Sequence, residues 1–186
     1  MKKKKSILFL SALDFKEKSI QVIRKTPEAY VEAGWDVHYV VSRDGSKKGN
    51  YFYENTINPD GVKIYRFHMP FQSLKNSIKN HFTRTIISKI SGYITILKLA
   101  YLGNKILKEN EVDVIYGYES HGVLAVNILR LLGKLNNQKI VSRFQGTFYI
   151  IIIKAKQHLK RILNWDNFLA LKLPSDLCIM TNDGTQ

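Results

Sequence analysis

Two stretches decide the fold of this chain: Val112-Asp113-Val114-Ile115-Tyr116-Gly117-Tyr118-Glu119-Ser120-His121-Gly122 and Lys139-Ile140-Val141-Ser142-Arg143-Phe144-Gln145-Gly146-Thr147. In each, a short run of β-branched and aromatic residues passes into polar side chains and glycine. Such runs suit a pleated, buried surface. Between them, residues 122–132 carry a helical apolar period and end at Gly133, a residue suited to a left-handed helix cap. The unit therefore reads strand, helix, strand. In an open parallel sheet, ligands bind beyond the carboxyl ends of the strands, so the two polar tips mark a crevice.

Working outward, the same alternation fills the chain. Residues 7–10 (Ile-Leu-Phe-Leu) form a compact apolar run, as a strand covered on both faces requires. Ile20, Ile23, Tyr30 and Val31 recur at helical spacing before Ala33-Gly34. Pro27 within that stretch predicts a kink or a late start. Residues 35–41 read as a second strand. Asn58-Pro59-Asp60-Gly61 is a turn signal, and residues 62–67 a third strand. Leu74, Ile78, Phe82, Ile86, Ile90, Ile94, Leu97 and Tyr101 then repeat every three or four residues, with Gly92 and Gly103 as expected breaks. Residues 112–116 and 139–142 are strands four and five, 157–171 a helix, and 177–181 a sixth strand. Strands alternating with helices predict an α/β, Rossmann-like, open and mostly parallel sheet with helices on both faces.

Composition narrows the function. The 186 residues are 45% hydrophobic and 24% charged. That is enough apolar content to bury a core. The net charge of +14 predicts affinity for something anionic: nucleic acid, acidic lipid or phosphorylated ligands. No nucleic-acid recognition motif is present, which makes that partner the least favoured. The one cysteine, Cys178, excludes an internal disulfide. It lies in an apolar run that predicts burial. Lys2 to Lys5 before residues 7–10 imitate a signal peptide, but the apolar run is short and Asp14, Lys16, Glu17 and Lys18 follow it. No segment reads as a membrane span. His38, His68, His81 and His158 show no metal-ligand spacing, and no metal is expected. A dinucleotide fold needs glycines directly after the first strand, and a phosphate loop its own glycine-lysine pattern. Ser11 to Lys18 contains no glycine, and neither nicotinamide chemistry nor an ordinary nucleotidase is expected.

The order and spacing of these pieces resemble the amino-terminal domain of GT-B glycosyltransferases, most nearly the large retaining family called family 4. Ala33-Gly34-Trp35-Asp36-Val37 looks like the family's helix-end, glycine, strand phrase. Ser175-Asp176-Leu177-Cys178-Ile179 looks like its late strand, and Asn182-Asp183-Gly184-Thr185-Gln186 like the loop toward a second domain. The resemblance covers nearly the whole chain. It implies that residues 1–186 form the acceptor-side domain, that a carboxyl-terminal domain holding the nucleotide sugar lies outside this sequence, and that the chain alone does not catalyse transfer. The implied donor is a nucleotide diphosphate sugar, used without cofactor or metal. The implied acceptor is a glycan or lipid-linked glycan of cell-surface polysaccharide or glycolipid synthesis, in the cytoplasm or at the inner face of the plasma membrane. Two departures bear on chemistry. The glycine pair that many relatives carry after strand one is missing, and Gln145 stands where many carry histidine. Glutamine donates and accepts hydrogen bonds but takes up no proton near neutral pH.

The acceptor and sugar candidates are accordingly Ser11 and Asp14 after strand one, Glu119 and His121 after strand four, and Arg143, Gln145, Gly146 and Thr147 around strand five. Each has a plainer reading beside it: helix-start capping for Asp14, Glu119 and Ser120, a salt bridge for Arg143, a turn for Gln145 to Thr147. No catalytic residue is assigned. Lys75, Lys79, Arg84 and Lys89 lie on a basic helical stretch with a continuous apolar face and are the candidates for contact with anionic membrane. Residues 148–153 are expected in the core. Two alternatives stand beside the transferase: a related GT-B-like sugar-nucleotide epimerase, and a non-catalytic basic module binding membrane or nucleic acid.

Overall fold

The computed structural model describes residues 4–15, 21–43, 57–145 and 158–181. Six strands form one sheet: β1 (Ser6–Ser11), β2 (Asp36–Arg43), β3 (Lys63–His68), β4 (Val114–Tyr118), β5 (Lys139–Gln145) and β6 (Leu177–Thr181). Their order is β3-β2-β1-β4-β5-β6, and every neighbouring pair is parallel. The order reverses direction between β1 and β4, which puts the topological switch point, and hence the crevice, at their carboxyl ends. The helices are α1 (Gln21–Glu32), α2 (Gln72–Ser77), α3 (His81–Glu109), α4 (Glu119–Leu131), α5 (His158–Leu163) and α6 (Trp165–Lys172).

Both faces of the central strands are covered. Side chains alternate across a strand, so β1 sends Leu8 and Leu10 to one layer and Ile7 and Phe9 to the other. Leu8 and Leu10 join Val40, Ile96, Leu99, Ile115, Ala125 and Leu129 beneath α3 and α4. Ile7 and Phe9 join Ile23, Val37, Tyr39, Tyr116, Tyr118 and Val141 beside α1. Phe9 stacks on Tyr39 with ring centroids 5.1 Å apart. Each fully buried large apolar side chain contributes about 1.5–3 kcal/mol.

Several boundaries differ from the sequence reading. β4 and β5 run two and three residues further than expected, so Gly117, Tyr118, Arg143 and Gln145 are strand residues rather than loop. Gly92 and Gly103 do not break α3, which is continuous for 29 residues. They are close-approach positions instead: a Cβ on Gly103 would meet Leu10 and Leu129 at 3.3 Å, and one on Gly92 would meet His121 Nε2 at 3.1 Å. Pro27 sits inside α1 without ending it. Residues 157–171 divide into α5 and α6. Cys178 is exposed, not buried, because β6 is an edge strand whose Leu177 and Met180 are also more than half exposed. Residues 148–153 lie outside the described residues.

α3 is by length and composition able to cross a membrane, a property the sequence reading did not assign to any segment. Its buried residues Ser91, Thr95, Ile96, Leu99, Ala100, Gly103 and Ile106 seat it in the core. No buried residue of the helix precedes Ser91. With a rise of about 1.5 Å per residue, α3 is about 43 Å long, against roughly 17–26 Å for the strands. Its carboxyl end is tied to β4 by a short link, Asn110 to Asp113. The surplus therefore lies at its amino end, and residues 81–90 overhang the carboxyl edge of the sheet.

Candidate functional site

The β4–α4 turn lies at the carboxyl end of β4, beside the switch point, where ligands of open parallel sheets bind. Helix α4 begins immediately at Glu119, whose φ of 56° is left-handed. For a non-glycine residue this costs on the order of 1–2 kcal/mol, and such positions persist only where surrounding contacts over-determine them. Three do so here. A Cβ on Gly117 would come within 2.8–2.9 Å of the Val123 backbone. A Cβ on Gly122 would collide with the Leu10 carbonyl oxygen of β1. Glu119 Oε1 accepts a 2.6 Å hydrogen bond from the backbone N–H of Gln145 on β5. The two glycines let α4 start directly against β1 and β4, and the carboxylate locks that turn to the next strand.

Around it, the structure gathers part of the predicted set on the α1 side of the sheet. The Tyr118 hydroxyl donates to Gln145 Oε1 at 2.7 Å. Arg143, one step back along the same face of β5, is 8% exposed. It donates to Tyr116 Oη and to Thr26 Oγ1 of α1, both at 3.3 Å, and its buried Nε has no hydrogen-bond partner among the described residues. Burial pushes the Glu119 carboxyl above the usual range, against the lowering effects of the Gln145 N–H and of the Arg143 charge. Burial also raises the Tyr116 and Tyr118 phenols, so both stay protonated donors at neutral pH. The cluster is a carboxylate, an amide, two phenols and a guanidinium: a hydrogen-bonding wall in which Glu119 and Gln145 are partly exposed and Tyr116, Tyr118 and Arg143 are buried behind them.

The strand-one candidates are placed differently. Ser11 pairs with Tyr118 in the sheet register but is fully buried, its hydroxyl accepting from Leu13 N at 2.9 Å and donating to Leu13 O at 3.1 Å. Asp14 Oδ1 accepts from Phe15 N at 2.8 Å and from Arg66 Nε at 3.0 Å, while buried Oδ2 has no partner among the described residues. Arg66 also binds Asn58 Oδ1 and Ile57 O. Asp14 thus ties the β1 tip to β3. Gly146 and Thr147 lie outside the described residues.

His121 is separated from this wall. It projects from α4 to the opposite side of the sheet and joins Arg84, Thr85, Ser88, Lys89 and Gly92 of α3 with Asp166 and Asn167 of α6, around a hollow of about 290 Å³. Burial holds its imidazole below the ordinary histidine range; Asp166 opposes that shift and Lys89 adds to it. Lys89 is not the unpaired surface cation that the sequence suggests, since its Nζ donates to both oxygens of Asp166 at 2.9 and 3.0 Å. Lys75 is half-buried at the end of α2, and Lys79 and Arg84 are exposed. Asp166 and Tyr118 escape the sequence reading. Tyr118 sits where the sequence predicts loop, and Asp166 is a single acid in a basic stretch with no local pattern to single it out. Among the described residues, no group of three or more His, Cys, Asp or Glu side chains could hold a metal ion.

The fold is shared with known proteins over almost all of its length. The chain superposes on CalG4, the calicheamicin glycosyltransferase, with a TM-score of 0.61 at 11% identity, covering 96% of this chain and 48% of that one. It superposes on sucrose-phosphate synthase from Thermosynechococcus elongatus with a TM-score of 0.59 at 13% identity, covering 96% of this chain and 42% of that one. It therefore spans less than half the length of either. No family model and no curated protein sequence matches the chain. The shared feature is the six-stranded, Rossmann-like α/β domain.

Proposed function

We propose that this chain is the acceptor-side domain of a GT-B glycosyltransferase that moves a sugar from a nucleotide diphosphate sugar to a glycan or lipid-linked acceptor. The observation that carries the reading is the strained Glu119 turn at the β1/β4 switch point, facing Gln145, in a fold shared with part of a glycosyltransferase. Glu119 and Gln145 would orient acceptor hydroxyls, with Tyr118 holding Gln145 in place and Glu119 positioned to take up a proton from the hydroxyl that attacks. The retaining outcome and a cell-surface polysaccharide or glycolipid product belong to the same proposal and rest on the sequence resemblance. Donor binding is assigned to a second domain outside these 186 residues. The test is sugar transfer by the full-length natural protein from a panel of nucleotide diphosphate sugars to lipid-linked and soluble glycans. Glu119→Gln is expected to lower kcat at least a hundredfold with donor affinity unchanged. Transfer at the wild-type rate in that variant removes the role for Glu119, and no transfer with any donor removes the enzyme reading.

The surface of α3, α5 and α6 supports membrane contact within this proposal. Phe82 (72% exposed), Tyr101 (69%) and Trp165 (55%) stand out from it, with Ile86, Ile90, Leu97 and Ile162 also exposed. Tyr93 and Trp165 bring α3 and α6 together, their rings 6.4 Å apart. Lys79, Arg84, Lys98, Arg161 and Lys172 accompany these apolar groups. A surface of this kind suits an anionic bilayer, each cation near it contributing about 1 kcal/mol.

A further inference from the structure

The hollow between α3, α4 and α6 is built unlike the hydrogen-bonding wall at Glu119. Its charged groups are Arg84, Lys89 and Asp166. Asp166 is only 7% exposed, and both of its oxygens are engaged by Lys89. That pair cancels, and Arg84, with no charge partner among the described residues, leaves the hollow one positive charge. His121 is kept neutral by burial and adds a ring nitrogen that can donate or accept. Ser88 brings a further donor, while the Thr85 hydroxyl is spent on His81 O at 2.9 Å and the Asn167 amide nitrogen on Asn164 Oδ1 and Asp166 Oδ1, both at 3.4 Å. Gly92 keeps the floor open, since a Cβ there would come to 3.1 Å from His121 Nε2. The hollow lies at the overhanging end of α3, on the carboxyl side of the sheet, close along the chain to Glu119.

The hollow holds about 290 Å³. Pockets for small molecules begin at roughly 300 Å³, so this one is at the lower end of their range. It suits a group the size of a phosphorylated monosaccharide and is too small for a whole nucleotide sugar. A guanidinium with hydroxyl and imidazole donors around it is an arrangement that phosphoryl oxygens satisfy well.

We propose that this hollow is a phosphoryl-binding subsite, with Arg84 as its charge-bearing contact and Ser88 and His121 as its neutral ones. It rests on and deepens the acceptor-side reading above: the group it takes is a phosphate monoester or diester attached to the acceptor, on a soluble sugar phosphate or on a lipid headgroup. Lys89, held and neutralised by Asp166, fixes the wall of the hollow and leaves Arg84 as its net charge.

Binding alone tests it, so an absence of sugar transfer counts against the transferase reading and not against the subsite. The purified protein is titrated by calorimetry with glucose 1-phosphate, with glucose, and with potassium chloride at matched ionic strength. In parallel it is sedimented with neutral phosphatidylcholine vesicles with and without phosphatidic acid. Arg84→Ala tests the site, and Lys134→Ala, an exposed cation at the far end of α4, controls for net charge. The expected result is saturable binding of glucose 1-phosphate but not glucose, weakened at least tenfold by Arg84→Ala and less than twofold by Lys134→Ala. Binding confined to phosphatidic acid vesicles, with the same dependence on Arg84, assigns the phosphoryl group to a lipid. Binding in neither arm, or equal losses in the two variants, overturns the proposal.

Discussion

Glu119 is where backbone and chemistry meet in this chain. Its left-handed conformation is disfavoured, and its carboxylate compensates by accepting the Gln145 N–H. Glu119→Ala keeps the strain and leaves that donor unmatched, with an expected loss of about 1.5–3 kcal/mol for a hydrogen bond to a charged group. Glu119→Gly loses the same bond but relieves about 1 kcal/mol of backbone strain, so it should be the milder of the two. Urea unfolding midpoints rank them, and a glycine variant weaker than the alanine one would contradict the strain. The Glu119 carboxyl is raised by burial, so its protonated form is the one folding favours. The stability it contributes is complete below the unfolded value near 4.5 and is lost as pH rises through the folded value. Glu119→Gln should remove that part of the pH profile. None of this was legible in the sequence beyond the position of a carboxylate after a strand, because left-handed backbone depends on how tightly α4 is pressed against β1.

At the scale of the element, the β4–α4 turn and the α3 overhang position everything else. The collision that a Gly122 side chain would make is with backbone, which cannot rotate away. Gly122→Ala is therefore expected to cost about 3 kcal/mol, the upper end of ordinary overpacking. Gly133, at the other end of α4, has a positive φ and open space around it. Gly133→Ala should cost only the strain of that backbone, about 1 kcal/mol. Thermal unfolding of the two variants separates them. The overhanging turns of α3 are held to α6 by Lys89 and Asp166, a pair in which Asp166 is buried and the Lys89 side chain is 30% exposed. A double-mutant cycle is expected to give a coupling of about 1–2 kcal/mol, between surface and buried pairs. The helical period of α3 was plain in the sequence, and its glycines looked like breaks. They are contacts instead, Gly92 with His121 and Gly103 with Leu10 and Leu129. Contacts between residues so far apart along the chain leave no trace in local periodicity.

For the whole molecule, the dominant quantity is the net charge of +14. If the α3–α6 surface meets an anionic bilayer, flotation with acidic liposomes should be strong near 0.1 M salt and abolished near 1 M, as the screening length falls from about 10 Å to about 3 Å. Flotation that ignores salt would place the attraction in the exposed aromatic groups alone. Acid should also loosen the fold. His38 and His121 are held below the ordinary value of 6.5, chiefly by burial, with Asp36 and Asp166 respectively opposing the shift. Folding therefore favours their neutral forms. That stability is present above pH 6.5 and is lost as pH falls through the folded values. His38→Asn should flatten the decline in melting temperature between pH 7 and 5. The two structural neighbours extend well beyond the region they share with this chain.

The sequence by itself determined the class of fold. Apolar runs of period two and period near four are local, and a chain that alternates them has few ways to bury both faces of a sheet. It also put polar residues at the strand ends, where ligands of open parallel sheets bind, whatever the loops do. Only the tertiary structure decided which tips act together. Glu119 and Gln145 meet because β4 and β5 are neighbours in register. His121, close behind in sequence, turns with the helix to the other side of the sheet and finds Lys89 and Asp166. Ser11 and Asp14, polar and well placed along the chain, are held in the hydrogen bonds that close the β1 tip.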